Sequence, residues 1–434
     1  MIKILSYNTM DKSLLNRRPK LSSDKSVDAA VSEIIRAVDE RGDQALRQYT
    51  EKFDGAHITD FRVSDEELDR AFTETDESLL EVMEKAAVNI RAFHSKQVRQ
   101  GYAMRENPGV ILGQRITAIE RAGIYVPGGT ASYPSTVLMD AIPAKLAGVG
   151  RLIMCTPPDS QGRIAPSILS AAKIAGVDEI YKLGGAQAIA AMALGTESIP
   201  AVYKIAGPGN IYVATAKRMV FGLVDIDMIA GPSDILIIAD DTANSVSAAA
   251  DMLAQAEHDK LASAVLVTDS PVLAESVADE IEHQIKTLPR QEIARAAIYN
   301  NSMIIVVRNL DEAVAVSNEI APEHLEILTS DPFAQLSMVQ NAGSIFLGEN
   351  APEALGDYLS GTNHTIPTMG TARFASPLSV DDFIKKSSFT YYSPEALQPM
   401  IADIGIFARW EGLEGHARSA ECRISNSEAG CGDE

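Results

Sequence analysis

Short aliphatic strand segments alternate with helical segments along the middle of this chain, and this alternation restricts the fold more than any other feature. Between residues 125 and 234 the apolar pattern predicts strands at 151–155, 179–182 and 202–205, with helices between them. From residue 235 to 348 the same alternation returns. Strands that alternate with helices through short glycine-rich joints form parallel, doubly wound sheets. The sequence therefore predicts two α/β units.

The composition favours buried parallel sheets and excludes several kinds of partner. Hydrophobic residues make up 46% of the chain and aromatic residues only 6%, so aliphatic side chains fill the core. The formal net charge of −21 would repel nucleic acids and anionic membranes, and neither is expected as a partner. No run of about 18 apolar residues predicts a membrane span. The N-terminus lacks an apolar signal core, so we expect a cytoplasmic protein.

Breaks in the apolar pattern give the predicted domain boundaries. The predicted fold class is α/β, with two doubly wound, incomplete Rossmann-like parallel-sheet domains and small N- and C-terminal segments. The predicted parts are an N-terminal arm at 1–22, a first α/β domain at 23–124 and 235–378, a second α/β domain at 125–234, a C-terminal module at 379–424 and a disordered tail at 425–434.

Two potential metal ligands lie near the end of the helix predicted at 243–258. Gln255 and His258 are three residues apart, so they share one face of that helix. A face that carries a histidine and an oxygen ligand can form half of a zinc site. The helix dipole alone also favours a histidine near a helix C-terminus, so both interpretations stay open.

A polar loop at 356–364 follows the apolar strand predicted at 344–348. Loops at the carboxyl ends of strands build the sites of α/β sheets, so Asp357 is a candidate metal ligand and His364 a candidate for binding an anion or amine. A solvated turn with local side-chain caps is equally compatible with this sequence. His416, in the C-terminal module, also has a motif-like context.

Glu323 and His324 are candidates for acid–base chemistry. They follow Pro322, and proline is typical of the first helical turn, so we expect the pair at a helix N-terminus. Neighbouring helical side chains point about 100° apart, which suits two separate bases, one for an alcohol and one for water. The helix dipole would keep the histidine neutral. An exposed pair without a function is the alternative.

Three glycine-rich joints are candidates for nucleotide binding. They are Pro127-Gly128-Gly129, Gly184-Gly185-Ala186-Gln187 and Gly207-Pro208-Gly209-Asn210. Such joints offer backbone N–H groups to a phosphate. Glycine is common at tight joints, and the chain has no Gly-x-Gly-x-x-Gly motif, so spacing alone does not establish a nucleotide site.

Seven short motifs occur in a fixed order along the chain. They are Gly-Ile-Tyr-Val-Pro-Gly-Gly (123–129), Gly-Gly-Ala-Gln-Ala (184–188), Gly-Pro-Gly-Asn (207–210), Ala-Gly-Pro-Ser (230–233), Gln-Ala-Glu-His (255–258), Pro-Glu-His-Leu (322–325) and Gly-Asp-Tyr-Leu-Ser-Gly-Thr-Asn-His (356–364). Together they resemble the histidinol dehydrogenase family, and the resemblance runs from about residue 25 to about residue 420.

The resemblance implies an NAD-dependent oxidoreductase of histidine biosynthesis. Such an enzyme oxidises L-histidinol to L-histidine through bound L-histidinaldehyde, with two NAD as co-substrate and one zinc ion (Zn2+) per subunit. It is a homodimer with intersubunit active sites, in which terminal segments serve dimerisation and the C-terminal module completes the partner's site.

The resemblance also assigns residues. By its motifs it implies NAD contacts at Tyr125, Gln187 and Asn210, zinc ligands at Gln255, His258, Asp357 and His416, catalytic roles for Glu323 and His324, and substrate contacts at Ser233, Gln255, His258, His324, Asp357, His364, Glu411 and His416. It further implies that His324 accepts the alcohol proton and that Glu323 activates water.

One position departs from the family pattern, and three alternative functions stay open. Asp234 stands where we expect Glu in many relatives, with an effect on local packing at most. A dehydrogenase of another small polar alcohol, such as a sulfonated diol, would share the fold. A zinc hydrolase acting through Glu323 would need no NAD, and a non-catalytic zinc-binding dimer would need neither Glu323 nor His324. NAD dependence and substrate choice distinguish these functions.

Overall fold

The structure is a computed structural model that describes residues 1–16, 25–128 and 132–428, the last five without their side chains. It divides into two compact units. The first contains Met1–Val98 and Ala118–Phe383, and the second contains Arg99–Thr117 and Ile384–Glu434. Three predicted segments fall outside the described residues, namely 17–22 of the arm, Gly129 and 429–434 of the tail.

Strands and helices alternate through most of the chain, as the sequence predicts. The described strands are β1 (Lys3–Ser6), β2 (Tyr102–Met104), β3 (Val110–Ala118), β4 (Arg121–Tyr125), β5 (Arg151–Thr156), β6 (Glu179–Lys182), β7 (Lys204–Ala206), β8 (Asp225–Ile226), β9 (Asp234–Ala239), β10 (Ser263–Thr268), β11 (Met303–Val306), β12 (His324–Leu328), β13 (Ser344–Leu347) and β14 (Ile384–Tyr392). The described α-helices are α1 (Lys25–Arg41), α2 (Asp43–Asp54), α3 (Asp65–Glu74), α4 (Glu77–His94), α5 (Pro134–Ala147), α6 (Pro166–Ala175), α7 (Gly185–Leu194), α8 (Ile211–Val220), α9 (Ser245–Ala256), α10 (Pro271–Gln284), α11 (Gln291–Asn301), α12 (Leu310–Ile320), α13 (Pro332–Leu336), α14 (Glu353–Tyr358), α15 (Pro394–Leu397), α16 (Ile401–Trp410) and α17 (Glu414–Glu428).

A six-stranded parallel sheet forms one core of the first unit, in the order β1-β11-β10-β9-β12-β13. Helices α9, α10 and α11 cover one face and α12 covers the other, so β9 and β10 are buried along their whole length. The structure differs from the predicted arm at β1, which pairs with β11 as an edge strand of this sheet. Pairing there satisfies backbone groups of β11 that would otherwise lack partners.

A five-stranded parallel sheet forms the other core of the first unit, in the order β6-β5-β4-β7-β8. Helices α1, α2, α7 and α8 cover one face, and α3 to α6 cover the other. The structure thus differs from the predicted division, which assigned 23–124 to the domain of the other sheet. The apolar faces of α1 to α4 are buried against this sheet, and β4 is its central strand.

The second unit contains a small sheet in the order β14-β3-β2 and the helices α15, α16 and α17. It differs from the predicted C-terminal module in two ways. It includes 99–117 from the first half of the chain, and the buried residues Val380 and Phe383 belong to the first unit. Helix α17 extends through Glu428, so the first residues of the tail predicted to be disordered are helical.

Two further features of the described chain concern membrane-spanning helices and Cys155. Within residues 1–16, 25–128 and 132–428, no helix has the length and apolar character needed to cross a membrane. Cys155 is buried in β5 without a disulfide bond, where it packs as a small apolar side chain.

Candidate active site

The predicted catalytic pair lies at the amino end of β12. His324 begins this strand and pairs in register with Ile235 of the neighbouring β9. The helix start predicted after Pro322 is wrong. Instead, α12 ends at Ala321 in the left-handed conformation, with φ of 54°, and proline follows this helix stop. The pair therefore lies at the amino end of a strand instead of at the helix N-terminus that the sequence pattern predicts.

Glu323 and Asp234 bind each other across the amino ends of β12 and β9. The N–H of Glu323 donates to Oδ1 of Asp234 at 2.6 Å, and the N–H of Asp234 donates to Oε2 of Glu323 at 3.0 Å. Both side chains are buried. The departure from the family pattern at Asp234 therefore concerns the candidate catalytic pair itself, beyond local packing.

Burial sets the charge states of the pair. It lowers the pKa of His324 to about 3. This agrees with the neutral histidine expected from the sequence, with burial instead of a helix dipole as the cause. Burial also raises the pKa of Glu323 well above its ordinary value, and the nearby negative charge of Asp234 adds to the rise.

The imidazole of His324 is oriented with one nitrogen towards the backbone and the other towards the site. Nδ1 lies 3.2 Å from the carbonyl oxygen of Asp234, and because a carbonyl oxygen can only accept, we assign the ring N–H to Nδ1. The lone pair is then on Nε2. In the described part of the chain Nε2 is buried without a hydrogen-bond partner, and Oδ1 of Asp357 lies 4.0 Å away. Nε2 is thus placed to accept a proton from a bound molecule.

Potential metal donors surround the same space. His258 follows α9, whereas Glu353 and Asp357 lie one turn apart on α14, and one ligand atom from each lies within 4.8 Å of the others. Gln255 is fully buried near the end of α9, and with its Nε2 towards Glu353 the amide donates to Oε1 of that carboxyl group at 2.6 Å. The same nitrogen lies 3.1 Å from Nδ1 of His324. Nitrogen and oxygen donors of this kind suit zinc.

Carboxyl groups are crowded around these donors without a neutralising cation among the described residues. Burial raises the pKa of Asp357 to about 6. Burial and then the negative charges of Asp357 and Glu326 raise the pKa of Glu353 well above its ordinary value. Burial and the charge of Asp251 raise the pKa of Glu326 to about 9. A divalent cation would relieve this repulsion, so the residues present fit a metal ion.

Glu353 was not among the site residues predicted from the sequence. The sequence predicts a polar loop at 356–364, whereas helix α14 runs from Glu353 to Tyr358 and includes the first residues of that range. Its spacing of four residues from Asp357 places both carboxyl groups on one helix face, which is the signal that could have identified it.

The loop after α14 places His364 beside the donors. Nδ1 of His364 lies 3.1 Å from the carbonyl oxygen of Asp357, and burial lowers its pKa to about 4. Both neighbours of His364 are fixed to α5: Nδ2 of Asn363 donates to the carbonyl oxygen of Met139, and the Thr365 hydroxyl donates to Asp140, each at 2.7 Å. Of the two interpretations left open for this loop, the solvated turn therefore does not describe residues 363–365.

The other predicted substrate contacts fall into two groups. Ser233 precedes β9, and its side chain slightly opposes the rise in the pKa of Glu323. Glu411 and His416 belong to the second unit, where Glu411 follows α16, His416 lies on α17, and both are exposed. The first unit therefore brings together all the predicted metal, catalytic and substrate residues except these two.

The three predicted NAD contacts line one cavity of about 1260 Å³ at the carboxyl ends of β4, β6 and β7. Tyr125 ends β4, Gln187 lies in the first turn of α7, and Asn210 caps α8, where its Oδ1 accepts from two backbone N–H groups. Pockets for small ligands commonly measure about 300–1,000 Å³, so this cavity has room for a dinucleotide. It lies at the edge where doubly wound sheets bind nucleotides.

Buried charges fix the joint between β7 and α8. The ammonium of Lys217 forms an ion pair with Asp227 and donates to the carbonyl oxygen of Gly207 at 2.8 Å, while the N–H of Gly207 donates to Asp227 at 2.8 Å. Gly207 has φ of 116°, and a Cβ atom there would clash with the carbonyl oxygen of Tyr125. Only glycine suits this position, which explains one of the three glycine-rich joints.

Comparison with known proteins assigns the family. The family model described as histidinol dehydrogenase matches residues 16–424. The chain belongs to the histidinol dehydrogenase family. Histidinol dehydrogenase of Bacillus cereus is 56% identical over 405 residues, which are 93% of this chain and 94% of that protein. Histidinol dehydrogenase of Bacillus subtilis is 52% identical over 411 residues, which are 93% of this chain and 96% of that protein.

A solved structure agrees with this assignment. Histidinol dehydrogenase from Elizabethkingia anophelis is 39% identical and superposes with a TM-score of 0.92, covering 98% of this chain and 99% of that chain. The resemblance inferred from the seven motifs and the predicted α/β fold class are both confirmed. The buried His324 and the potential metal donors around it are therefore interpreted as residues of a member of this family.

Proposed function

We propose that this protein oxidises L-histidinol to L-histidine through bound L-histidinaldehyde, with two NAD as co-substrate. Family membership supports this oxidoreductase role in histidine biosynthesis, and no relative named above points to another alcohol. The observation that carries the proposal is the buried Nε2 of His324, which has no hydrogen-bond partner among the described residues and lies near Asp357. We infer a cytoplasmic location from the need for NAD.

His324 serves as the base for the alcohol. Its imidazole is neutral because of burial, and its Nδ1 side is engaged by Asp234, so Nε2 accepts the hydroxyl proton as hydride passes to NAD. The hydride acceptor is NAD bound in the cavity lined by Tyr125, Gln187 and Asn210. In the second oxidation the same nitrogen accepts a proton from the hydrated aldehyde.

Glu323 serves as the base for water in the second oxidation. Its backbone N–H and side chain are fixed by Asp234, which holds the carboxyl group next to His324. Burial raises the pKa of Glu323, and positive charge bound nearby would lower it towards the ionised form that a base needs. The aldehyde stays enclosed between the two steps, which protects it from side reactions.

Zinc would be held by Gln255, His258 and Asp357, with His416 of the partner subunit as a fourth ligand. Bound there, zinc supplies a template for the amine and an imidazole nitrogen of the substrate. Ser233, His364 and Glu411 complete the proposed substrate contacts. Elemental analysis of the purified protein should give one zinc per subunit, and protein that is fully active without a bound divalent metal would contradict this part.

Counting NADH tests the function directly. Purified protein supplied with L-histidinol and NAD should form two NADH per histidinol, with L-histidine as the product. One NADH per histidinol would remove the second oxidation from the proposal. No NADH from a properly metallated protein, combined with NADH from a sulfonated diol, would favour a dehydrogenase of another alcohol.

A homodimer with shared active sites is part of this proposal. Helix α16 of the second unit has exposed apolar side chains at Ile406, Phe407 and Trp410, the last 88% exposed. Exposed apolar side chains grouped in this way are typical of a surface that another protein covers. Light scattering should give the mass of two chains, and Phe407→Glu should lower it to the mass of one chain if α16 forms the interface.

A further inference from the structure

Asp54 is an acidic side chain without a partner in the cavity that contains the predicted NAD contacts. It ends α2 and lines the cavity together with Tyr125 and Gln187. Its Oδ2 atom is buried and, within the described chain, has no hydrogen-bond donor. A buried acceptor is costly without a donor, so Asp54 fits a ligand that brings hydroxyl or N–H groups.

The charge of Asp54 is also uncompensated. Burial alone raises the pKa of Asp54 to about 6, with no contribution from a nearby cation. Four cations of the described chain line the cavity. Lys182, Arg163 and Arg70 are paired with Glu67, Asp159 and Glu74, and Lys52 makes no contribution to the pKa of Asp54. A phosphate placed beside Asp54 would therefore be repelled, whereas a neutral polar group would not.

The half of NAD that reaches Asp54 follows from where hydride transfer takes place. The nicotinamide must approach His324, and neither His324 nor its neighbours Glu323 and Asp357 line this cavity. The cavity therefore holds the part of the dinucleotide that lies away from the reaction. Asp54 also lies near the Tyr125 hydroxyl, because its charge adds to burial in raising the pKa of Tyr125 to about 12.

We propose that Asp54 binds the 2′- and 3′-hydroxyls of the adenosine ribose and thereby selects NAD over NADP. The inference rests on the proposed NAD-dependent function. A carboxylate can accept a hydrogen bond from each hydroxyl of a vicinal diol. The 2′-phosphate of NADP removes one of these donors and adds about two negative charges beside Asp54.

Substitution of Asp54 tests this assignment by its effects on Kd for NAD and on Kd for NADP. Asp54→Asn keeps the size of the side chain and removes a charge that burial disfavours, so it should fold, which thermal melting checks. A hydrogen bond to a charged group contributes enough that Kd for NAD should rise about 10- to 100-fold in this variant. Kd for NADP should stay unchanged or fall, so the preference for NAD should shrink by a similar factor. Asp54→Ala gives a second variant with the same expectation.

A matched control and a third dinucleotide make the test specific. Asp269→Asn removes another partly buried carboxylate whose pKa is raised by burial, but outside the cavity, and should leave both Kd values unchanged. Nicotinamide hypoxanthine dinucleotide keeps the ribose and lacks the adenine amino group. If Asp54→Asn weakens NAD but not this analogue, Asp54 binds adenine and the ribose assignment is overturned.

The outcomes also separate this inference from the proposed function. An unchanged NAD-to-NADP ratio in Asp54→Asn, in protein that still forms NADH from L-histidinol, would overturn the role of Asp54 alone. Wild-type protein that binds neither dinucleotide would overturn both the role of Asp54 and the proposed function.

Discussion

At the scale of single residues, the proposed proton transfer from the alcohol depends on burial, which keeps the imidazole of His324 neutral. Its neighbours leave Nε2 without a partner among the described residues, while the backbone of Asp234 engages Nδ1. Replacement by glutamine, His324→Gln, keeps a polar side chain but removes the base. We expect kcat to fall about 10²- to 10⁴-fold, the usual contribution of a positioned base.

The matched control for His324→Gln is His283→Gln, because the side chain of His283 is 81% exposed. Zinc content should be the same in both variants and in the wild type. A His324→Gln enzyme with normal kcat would contradict the assignment of the base.

At the same scale, we expect Glu353 to orient the side-chain amide of Gln255. The Gln255 amide donates to Oε1 and Oε2 of Glu353 at 2.6 and 3.0 Å, so its own oxygen is directed away from Glu353. Loss of a partner that orients a ligand commonly lowers metal affinity about 10- to 100-fold, and we expect this for Glu353→Ala. Zinc titration against a fluorescent chelator measures the effect. Exposed Glu349→Ala is the control, and equal zinc affinity in the two variants would refute the positioning role.

Asp140 should make stability depend on pH. Burial chiefly raises the pKa of Asp140 to about 8 from 3.8, with the charge of Asp227 adding to the rise and that of Lys217 opposing it. Because the folded pKa is the higher one, the contribution of Asp140 is fully present below pH 3.8 and is lost as the pH rises through about 8. Asp140→Asn removes this titration and can still accept from Thr365. Urea unfolding should therefore show Asp140→Asn gaining stability over the wild type between pH 5 and pH 8, and a constant difference would contradict the raised pKa.

At the scale of elements, the loop between α14 and His364 depends on its contact with α4. Nδ2 of Asn89 donates to the carbonyl oxygen of Leu359 at 2.7 Å. Gly361 has φ of 93°, and a Cβ atom there would lie 2.5 Å from the carbonyl oxygen of Asn89. The loop carrying His364 can therefore keep this course only with glycine at 361.

Gly361→Ala should consequently lower the free energy of unfolding by about 2 kcal/mol or more, from backbone strain and overpacking. It should also weaken zinc binding, because the loop holds Asp357 through His364. Gly415→Ala is the control, since a Cβ atom at this helical position meets open space and alanine favours helix. Equal melting temperatures for the two variants would contradict the strain at Gly361.

The strands and helices themselves were largely predictable from the sequence. Strand β6 has the predicted bounds, because an aliphatic run between turn residues identifies a buried strand. The error at Pro322 arose because proline is common both at helix starts and after helix stops, and the left-handed Ala321 decides between them. Helix α14 was missed because six residues give too short a periodic pattern.

At the scale of the whole molecule, the proposed shared site makes a prediction about mixed subunits. Glu323→Gln and His416→Ala alter different sides of such a site, so each variant alone should have little activity. A dimer with one subunit of each kind has one intact site, formed by Glu323 of one subunit and His416 of the other. Mixing equal amounts with exchange of subunits should restore about one quarter of wild-type activity. No recovery after exchange would mean that Glu323 and His416 act within one chain.

The sequence by itself determined the α/β class, the family and the chemical types at the site, because apolar periodicity and the order of seven motifs are local properties of the chain. Only the tertiary structure decided that α1 to α4 cover the five-stranded sheet, that Glu353 contacts Gln255 and that Asp54 lines the cavity of Tyr125, Gln187 and Asn210. Each of these depends on residues far apart in the chain, brought together by burial of apolar faces. Burial also fixed the protonation of His324, which no spacing in the sequence could set.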